Sequence, residues 1–471
     1  MPASPLAPAW LSEPSDANVL AEGVWPSGAH RDETGAVVVG GVSAREVVAR
    51  FGTPVLVIDE DEVRGRARRT VAAFSAAAAA QGTSARVYYA GKAFLSTEIA
   101  RWVTAEGMRV DVCTQGELEV ALAAGVPAEH LGFHGNNKSV AELRRAVETG
   151  VGTIVLDSEI ELERLSRIAA DAGRTQAVLI RVNTGVHAET HHFLATAHED
   201  QKFGFPLAEA ARIVERIRRA PGLRFDGLHC HIGSQIFGTD GFRESAARLL
   251  EVLSTVGDGG DLAPILNLGG GFGIAYTSAD EATPIEQLAD GILEVVAAES
   301  AARGIPVPVV AFEPGRSIVG TAGVTFYEVG TTKDVTVDTE TGSAVRRYVS
   351  VDGGMSDNAR HALYGADFSA RIASRVSDAG TQLVRVVGKH CESGDVVVDA
   401  EYLPDDVSPG DLLAVPVTGA YCQPLSSNYN HVPRPPVVAV RDGAARVIVH
   451  GETITDLLAR DAGLHPSRGE E

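Results

Sequence analysis

Short apolar runs alternate with amphipathic stretches through the middle of the chain. Each apolar run is followed by a loop containing Gly, Asn or Ser, and then by a segment whose apolar residues recur at helical spacing. The runs predict strands at 86–90, 108–113, 130–134, 152–156, 177–182, 225–231, 265–268 and 309–313. The segments predict helices at 96–106, 116–124, 139–149, 159–172, 207–219, 241–256 and 285–302.

This alternation of strand and helix predicts an α/β fold. Eight strand positions with intervening helices close naturally into a (β/α)8 barrel of the TIM type. A doubly wound open sheet is the structural alternative, although six strands are more usual there.

The pattern changes after about residue 320. Strands with turn residues between them and few helices are expected at 325–331, 347–351, 394–398, 411–416, 437–441 and 445–449. They indicate an antiparallel β-domain, with a hairpin tip at 338–343. We therefore predict a barrel domain at 50–320 and a β-domain at 321–471 that includes 24–49. Residues 1–23 are expected to form a loose tail.

Composition excludes several classes of function. The 471 residues are 45% hydrophobic and 22% charged, with a formal charge of −21, which argues against nucleic acid or an anionic membrane as a general partner. No apolar run reaches membrane length, and the N-terminus lacks the pattern of a secretion signal. The four cysteines have no metal-binding spacing and suit free thiols in a reducing cytoplasm.

Polar residues gather where the predicted barrel strands end, which is where barrels place their active sites. Lys92 follows the first of these strands. A lone lysine there is most simply one that reaches the surface. The alternative is a lysine that forms a Schiff base in a pocket. Asn136, Asn137, Lys138, Arg181 and Asn183 lie at other strand ends.

Two further strand ends suggest a phosphate-bearing cofactor. Gly270, Gly271 and Gly273 follow the seventh strand, where glycines let backbone N–H groups approach a phosphate. Glu313 ends the eighth strand. It is either paired with Arg316 or faces a pyridine nitrogen, the partner that pyridoxal phosphate requires.

The histidines leave two interpretations open. His229 and His231 alternate on a predicted strand and could bind a metal, as in barrel hydrolases. The other strand ends offer Lys, Asn, Arg and Glu, so a histidine stacked on a cofactor ring fits better, and we expect no metal. His187, His191, His192 and His198 belong to a polar loop that is either a solvated lid or part of the site.

The β-domain carries dense polar stretches that are expected to face a site. They contain Cys391 beside Glu392, Tyr421 in the run 419–430, and Arg360 at the end of the Gly-rich run 352–360, followed by Tyr364. A lone cysteine is more often inert core.

Several motifs in one order make the chain similar to a known family. They are YAGKAF, HGNNKS, THHFLATAHEDQKFGF, HCHIGSQ, LGGGFG, EPGR, VDGGMSDNAR with LYGA, GKHCESGD and GAYCQPLSSNYN. Over about 24–458 the chain resembles the fold type III, pyridoxal-phosphate-dependent basic amino-acid decarboxylases. Within that family it is closest to the actinobacterial branch that acts on diaminopimelate.

The resemblance implies decarboxylation of meso-2,6-diaminopimelate to L-lysine, the last step of lysine biosynthesis. It implies that Lys92 carries pyridoxal 5′-phosphate, that His231 stacks on its ring and that Glu313 pairs with its ring nitrogen. Ser234, the glycine loop and the stretch from Glu313 through Gly315 to Arg316 would hold the phosphate. Arg316, Arg360 and Tyr364 would bind the distal end of the substrate, and Tyr421 would lie at both cofactor and substrate.

The resemblance also implies a homodimer with shared active sites. Cys391 and Glu392 would enter from the neighbouring subunit, with Cys391 as the proton donor after carbon dioxide leaves. The family often has Ala where Gly91 stands and Gly where Gln115 stands, which affects local packing only.

Three rival functions remain. The first is a decarboxylase of the same fold for ornithine, arginine or carboxynorspermidine, although Arg316 suits a distal carboxylate. The second is a non-enzymatic pyridoxal-phosphate carrier, which would lack the β-domain. The third is a metal-dependent barrel hydrolase that relies on His229 and His231.

Overall fold

A computed structural model describes residues 4–186, 202–257, 264–340 and 342–464. The chain divides into two compact units. The barrel unit comprises Arg64–Ile274 and Ala282–Ile318, and the β unit comprises Met1–Val63, Ala275–Glu281 and Val319–Glu471. The predicted polar loop with His187, His191, His192 and His198 lies outside the described residues.

The helices and strands are as follows. The strands are β1 His30–Arg31, β2 Val37–Val39, β3 Val42–Ser43, β4 Val55–Asp59, β5 Ala85–Ala90, β6 Arg109–Val112, β7 Leu131–Phe133, β8 Thr153–Leu156, β9 Gln176–Asn183, β10 Phe205–Pro206, β11 Leu223–His229, β12 Ile265–Asn267, β13 Val309–Phe312, β14 Gly323–Thr339, β15 Gly342–Val351, β16 Arg371–Ile372, β17 Thr381–Val387, β18 Val396–Pro404, β19 Leu412–Pro416, β20 Val437–Arg441 and β21 Ala444–Val449. The helices are α1 Ala44–Phe51, α2 Glu60–Ala80, α3 Thr97–Ala105, α4 Gln115–Ala123, α5 Val140–Thr149, α6 Glu159–Asp171, α7 Ala210–Arg219, α8 Asp240–Val256, α9 Ile285–Ala302, α10 Arg316–Val319, α11 Arg360–Tyr364 and α12 Ile454–Ala459.

Eight parallel strands close into a ring in the barrel unit. Their order is β5–β6–β7–β8–β9–β11–β12–β13, and β13 pairs with β5 to complete the circle. The predicted barrel is thus confirmed, and each of its strands coincides with a predicted one to within two residues. All eight strands point the same way, so their carboxyl ends meet at one rim.

Apolar side chains from several strands pack together inside the barrel. Tyr88, Val155, Leu179, Ile265 and Ala311, from five different strands, pack together as one buried cluster. Loops lead from the rim into helices that begin at side-chain caps. Ser96, Thr114, Ser139 and Ser158 each accept a hydrogen bond from the third residue of the following helix.

The β unit is built on a mostly antiparallel sheet. Its main path runs β18–β17–β15–β14–β4–β20–β21, and β19 also pairs with β14. The predicted hairpin at 338–343 is present, since Thr339 of β14 pairs with Gly342 of β15. Strand β4, which precedes the barrel in sequence, lies between β14 and β20 in this sheet.

The N-terminal residues differ from the expected loose tail. Leu6, Ala7 and Leu11 pack against a buried cluster of the β unit formed by Leu383, Ala400 and Tyr402. Burial of these apolar side chains gives the segment a fixed place that its Pro-rich composition does not reveal. In the described part of the chain, no helix has the length and apolar character needed to cross a membrane.

Lys138, one of the polar strand-end residues, has a structural role in the barrel wall. Its Nζ donates to the carbonyls of Gly135 at 2.6 Å and Val155 at 2.8 Å, and lies 2.6 Å from Glu161 Oε1. Both members of the pair are buried. Removing one member of such a pair leaves the other buried without its counter-charge.

The buried Lys138–Glu161 pair predicts that losing one member destabilises the protein more than losing both. We expect Lys138→Met to destabilise the protein by about 3 kcal/mol, and the Lys138→Met/Glu161→Leu double variant to recover part of that loss. The measurement is the midpoint of chemical denaturation. Arg69→Met, which removes the exposed pair with Glu286, is the control and should cost less than about 1 kcal/mol. A Lys138→Met midpoint equal to that of the control would contradict the structural role.

Candidate active site

A cavity opens at the carboxyl ends of the barrel strands and contains three of the predicted site residues. Its lining consists of Ala90, Gly91, Lys92, Asp111, Cys113, His134, Arg181, His231 and Glu313. Lys92 lies in the single helical turn Gly91–Ala93 that follows β5, and its side chain is exposed. The primary amine is therefore accessible from the cavity.

Glu313 follows β13 and lies close to nitrogen atoms from the ends of three other barrel strands, β7, β11 and β12. Asn267 Nδ2 donates to its Oε1 at 2.7 Å. The Nε2 atoms of His229 and His134 lie 3.2 and 3.3 Å from the same oxygen. Glu313 is thus not paired with Arg316, the alternative that the sequence left open.

Burial and these contacts set the charges around the cavity. Burial lowers the pKa of His134 and His229 to about 4 and that of His231 to about 3, so all three rings are neutral near pH 7. Burial acts to raise the pKa of Glu313, but the adjacent histidines outweigh it and the pKa lies below its ordinary value. Burial and the nearby Glu313 raise the pKa of Asp111 well above its usual range. The two carboxyl groups that line the cavity therefore shift in opposite directions, and Glu313 is the one whose charged form is favoured.

The glycine loop after β12 is packed too tightly for any side chain. A Cβ added to Gly270 would lie 2.0 Å from the carbonyl oxygen of Glu313, and one on Gly271 would lie 2.2 Å from that of Gly233. The side-chain amide of Gln235 bonds both backbone groups of Ile274, at 3.0 and 3.1 Å. The loops after β11 and β12 therefore form one rigid backbone surface.

The remaining predicted phosphate residues flank this surface. Arg316 begins α10, is buried, and donates from Nη2 to Ser234 Oγ at 2.8 Å. Gly315 lies against Ala90, since an added Cβ would be 3.0 Å from the Cβ of Ala90. Gly273 is needed for packing, because an added Cβ would lie 2.7 Å from the Phe237 ring. Sequence reasoning assigned Gly273 to the ligand alone.

His231 lies beyond the end of β11, which runs from Leu223 to His229, so the predicted strand began and ended two residues too late. The N–H of Gly270 donates to His231 Nδ1 at 3.4 Å. The neutral ring therefore carries its proton on Nε2. This contact fixes the ring beside the glycine loop.

The structure brings His229 together with His134 and Glu313, and not with His231, as a set of possible metal ligands. One donor atom from each of the three lies within 4.8 Å of the others. The same arrangement suits a protonated pyridine nitrogen, because a charged carboxylate supported by neutral N–H donors attracts such a ring. The exposed amine of Lys92, the Glu313 carboxylate and the tight glycine surface together fit pyridoxal phosphate.

In the β unit, the predicted substrate residues form a second group. The Arg360 side chain is buried, and its Cζ lies 5.4, 5.6 and 5.5 Å from the ring centres of Tyr276, Tyr364 and Tyr421. Among the described residues, Arg360 Nε has no hydrogen-bond acceptor. Three aromatic faces can hold a guanidinium while leaving N–H groups available for a carboxylate. Tyr421 has a φ of 63°, a conformation rare for a non-glycine residue.

Cys391 and Glu392 lie on a different loop of the β unit, between β17 and β18. Both side chains are exposed. The backbone N–H of Cys391 donates to Asn430 Oδ1 at 3.3 Å. Burial raises the pKa of the Cys113 and Cys230 thiols to about 12, which makes both thiols unreactive.

Sequence reasoning missed several residues of these sites. They are Asp111, His134, Asn267, Gln235 and Tyr276. Asp111, His134 and Asn267 each lie in or just after an apolar barrel strand, at its carboxyl end. That position is the signal that singled out Lys92 and Glu313, and it would have identified them too.

The low histidine pKa values predict acid sensitivity in the cofactor-free protein. Unfolded histidines take up protons near pH 6.5, whereas His134 and His229 resist until about pH 4. Their contribution to stability is complete above pH 6.5 and is lost as the pH falls toward 4. We expect His134→Asn to lose stability less steeply as the pH falls, because unfolding of this variant takes up about one proton fewer. The check is the melting temperature against pH, with exposed His450→Gln as control. Equal slopes for His134→Asn and wild type would contradict the assignment.

Comparison with known proteins agrees with this geometry. Residues 64–320 match the family model of the pyridoxal-dependent decarboxylase, pyridoxal binding domain. The diaminopimelate decarboxylase of Mycobacterium tuberculosis (strain ATCC 25618 / H37Rv) is 52% identical over 449 residues, which cover 93% of this chain and 98% of the relative. That of Bacillus subtilis is 42% identical, covering 92% and 96%.

Solved structures give the same result. The diaminopimelate decarboxylase from M. jannaschii in complex with L-lysine superposes with a TM-score of 0.84 at 29% identity, covering 93% of this chain and 98% of that one. The Helicobacter pylori enzyme with L-lysine has a TM-score of 0.77 at 28% identity, covering 88% and 98%. The chain therefore belongs to the pyridoxal-dependent decarboxylases and, within them, to the diaminopimelate decarboxylases.

Proposed function

We propose that this protein uses pyridoxal 5′-phosphate to decarboxylate meso-2,6-diaminopimelate to L-lysine and carbon dioxide. The observation that carries the proposal is the charged Glu313 carboxylate, buried beside neutral histidines in the cavity that Lys92 lines. A carboxylate in that state can keep a proton on a pyridine nitrogen. When bound, the cofactor supplies an electron sink for the electron pair left behind as the carboxylate departs.

The cofactor would be held by residues of the barrel unit. Lys92 would carry it through its amine, Glu313 would face its ring nitrogen and His231 would lie against its ring. The Gly270–Gly271 backbone, Gly273, Ser234, Gly315 and Arg316 would surround the phosphate. The tight packing of the glycine loop supports this role, because backbone N–H groups without side chains can approach an anion closely.

The distal end of the substrate carries a carboxylate and an amine. We assign the carboxylate to Arg316 and Arg360, and the neighbouring polar contacts to Tyr364 and Tyr421. The three tyrosine rings around Arg360 support this assignment, since they orient its guanidinium without neutralising it. Glu392 would bind the distal amine. This orientation selects the carboxylate that leaves.

After carbon dioxide departs, the carbon that carried it must gain a proton. We assign that proton to the Cys391 thiol, which would recover it from solvent. Cys391 and Glu392 are exposed on their loop, and we propose that a second copy of the chain receives them, so that the active sites of a homodimer are shared. Four free cysteines suit our further assignment to the cytoplasm.

Release of carbon dioxide from a panel of amino acids tests the proposed function. The purified protein with added pyridoxal 5′-phosphate would receive meso-diaminopimelate, ornithine, arginine or lysine. We expect turnover of meso-diaminopimelate alone, with L-lysine as product. Turnover of ornithine or arginine instead would overturn the substrate. No release of carbon dioxide from any amino acid would contradict the decarboxylase and leave the carrier and the hydrolase as the remaining functions.

Arg360→Lys tests the distal-carboxylate assignment. Lysine keeps the charge but loses the planar fork that bonds a carboxylate through two N–H groups and stacks on aromatic rings. We expect KM for meso-diaminopimelate to rise about tenfold, with a smaller change in kcat. Arg346→Lys, on the partly exposed strand β15, is the control. An unchanged KM in Arg360→Lys would contradict the assignment.

A further inference from the structure

The turn that carries Cys391 is exposed but fixed at both ends. Residues 391–394 are exposed in succession, whereas the flanking His390 and Asp395 are only 8% and 3% exposed. The backbone N–H of Asp395 donates to the carbonyl of Glu392 at 3.2 Å, which closes the turn. The position of the Cys391 thiol therefore depends on these two buried residues.

Asp395 forms the first of the two anchors. Its carboxylate accepts the backbone N–H of Met355 at 2.6 Å and that of His390 at 2.7 Å. Gly354 and Gly388 lie so close that an added Cβ would be 2.4 and 2.3 Å from its oxygens. Asp395 thus joins the turn to the Gly-rich loop that leads to α11.

His390 forms the second anchor, and its hydrogen bonds have a defined direction. Asn430 Oδ1 accepts the backbone N–H of Cys391 at 3.3 Å, so this atom is an acceptor. His390 Nδ1 lies 3.3 Å from the same oxygen and must therefore carry a hydrogen. In the neutral ring Nε2 is then an acceptor, and Ser356 Oγ donates to it at 2.9 Å.

One side-chain oxygen thus fixes both the ring of residue 390 and the backbone of residue 391. Asn430 has a left-handed backbone, with φ of 51°. The backbone N–H of Ser427 bonds the Ser356 carbonyl at 2.8 Å, which ties the loops around this site together. The Tyr429 ring lies 5.4 Å from the His390 ring and covers it.

We propose that His390 is a positioning residue that, through Asn430 and Ser356, holds the Cys391 thiol where it delivers its proton. The inference rests on the proposed role of Cys391 as proton donor. It adds the contacts that fix the position of the thiol. An exposed thiol on an unanchored turn would sample many positions, and small displacements of a reacting group are costly in rate. Protonation by Cys391 follows the departure of carbon dioxide, so a displaced thiol lowers kcat, whereas displacement of Glu392 on the same turn acts on KM.

His390→Leu and His390→Asn test the proposal. Leucine removes both hydrogen bonds, whereas the asparagine amide can still donate to Asn430 Oδ1. In the holoenzyme we expect His390→Leu to lower kcat for meso-diaminopimelate about tenfold, more than it raises KM through Glu392, and His390→Asn to recover part of the loss. His450→Gln, an exposed histidine, is the matched control and should match wild type.

A double-variant cycle separates positioning from general stability. In a Cys391→Ala background, His390→Leu should cause no further loss of kcat, because the thiol that it positions is absent. A full additional loss in that background would overturn the proposal. So would a His390→Leu enzyme with wild-type kcat, or one whose KM rises at constant kcat.

Hydrogen exchange of the peptide that spans 388–396 provides a readout independent of activity. We expect His390→Leu to speed exchange there about tenfold, while His450→Gln does not change it. If wild type releases no carbon dioxide but exchange is still faster in His390→Leu, the proposed function is wrong and the anchoring of the turn by His390 is supported. If wild type is active and exchange is unchanged, the anchor is wrong.

Discussion

The carboxylate of Glu313 is the constraint on which the barrel site depends. Burying a carboxylate costs free energy unless hydrogen-bond donors stabilise its charge or a proton neutralises it. Here Asn267, His134 and His229 surround it, and burial keeps both rings neutral. The result is a negative charge on Glu313 in the cavity lining, which can attract a protonated ring nitrogen. Each of these donors comes from the end of a different strand, so the charge exists only when the barrel closes.

The backbone around the cavity is also closely packed. The loops after β11 and β12 meet at Gly270 and Gly271, where the nearest backbone oxygens leave no space for a Cβ. The Gln235 amide then locks the two loops together. A backbone surface of this kind cannot move away from an anion, whereas side-chain donors can. In the proposed function, the charge on Glu313 and the rigid glycine loop would hold the two ends of the same cofactor.

Much of this arrangement could be predicted from sequence, because apolar periodicity fixes the strands and a parallel barrel fixes which ends carry chemistry. Those rules singled out Lys92 and Glu313, whereas the choice of His231 over His229 came from the family resemblance. The partners of Glu313 did not, since whether it bonds Arg316 or His229 depends on side-chain directions across non-adjacent strands. His134 and Asn267 could have been found from their positions at strand ends, but not recognised as partners of Glu313. The buried pair of Lys138 and Glu161 shows that a polar strand end can also be structural. In the N-terminal segment, Leu6 and Leu11 bind a distant cluster, which local composition cannot indicate.

The most direct test of the cofactor site is to locate the lysine that carries the cofactor. The lysines of the chain are Lys92, Lys138, Lys202, Lys333 and Lys389, so peptide mapping can distinguish them all. The protein would be mixed with pyridoxal 5′-phosphate, reduced with borohydride to make the bond permanent, and digested for mass spectrometry. We predict one pyridoxyl group per chain, on Lys92. A label on any other lysine, or no label, would contradict the cofactor site described for the barrel.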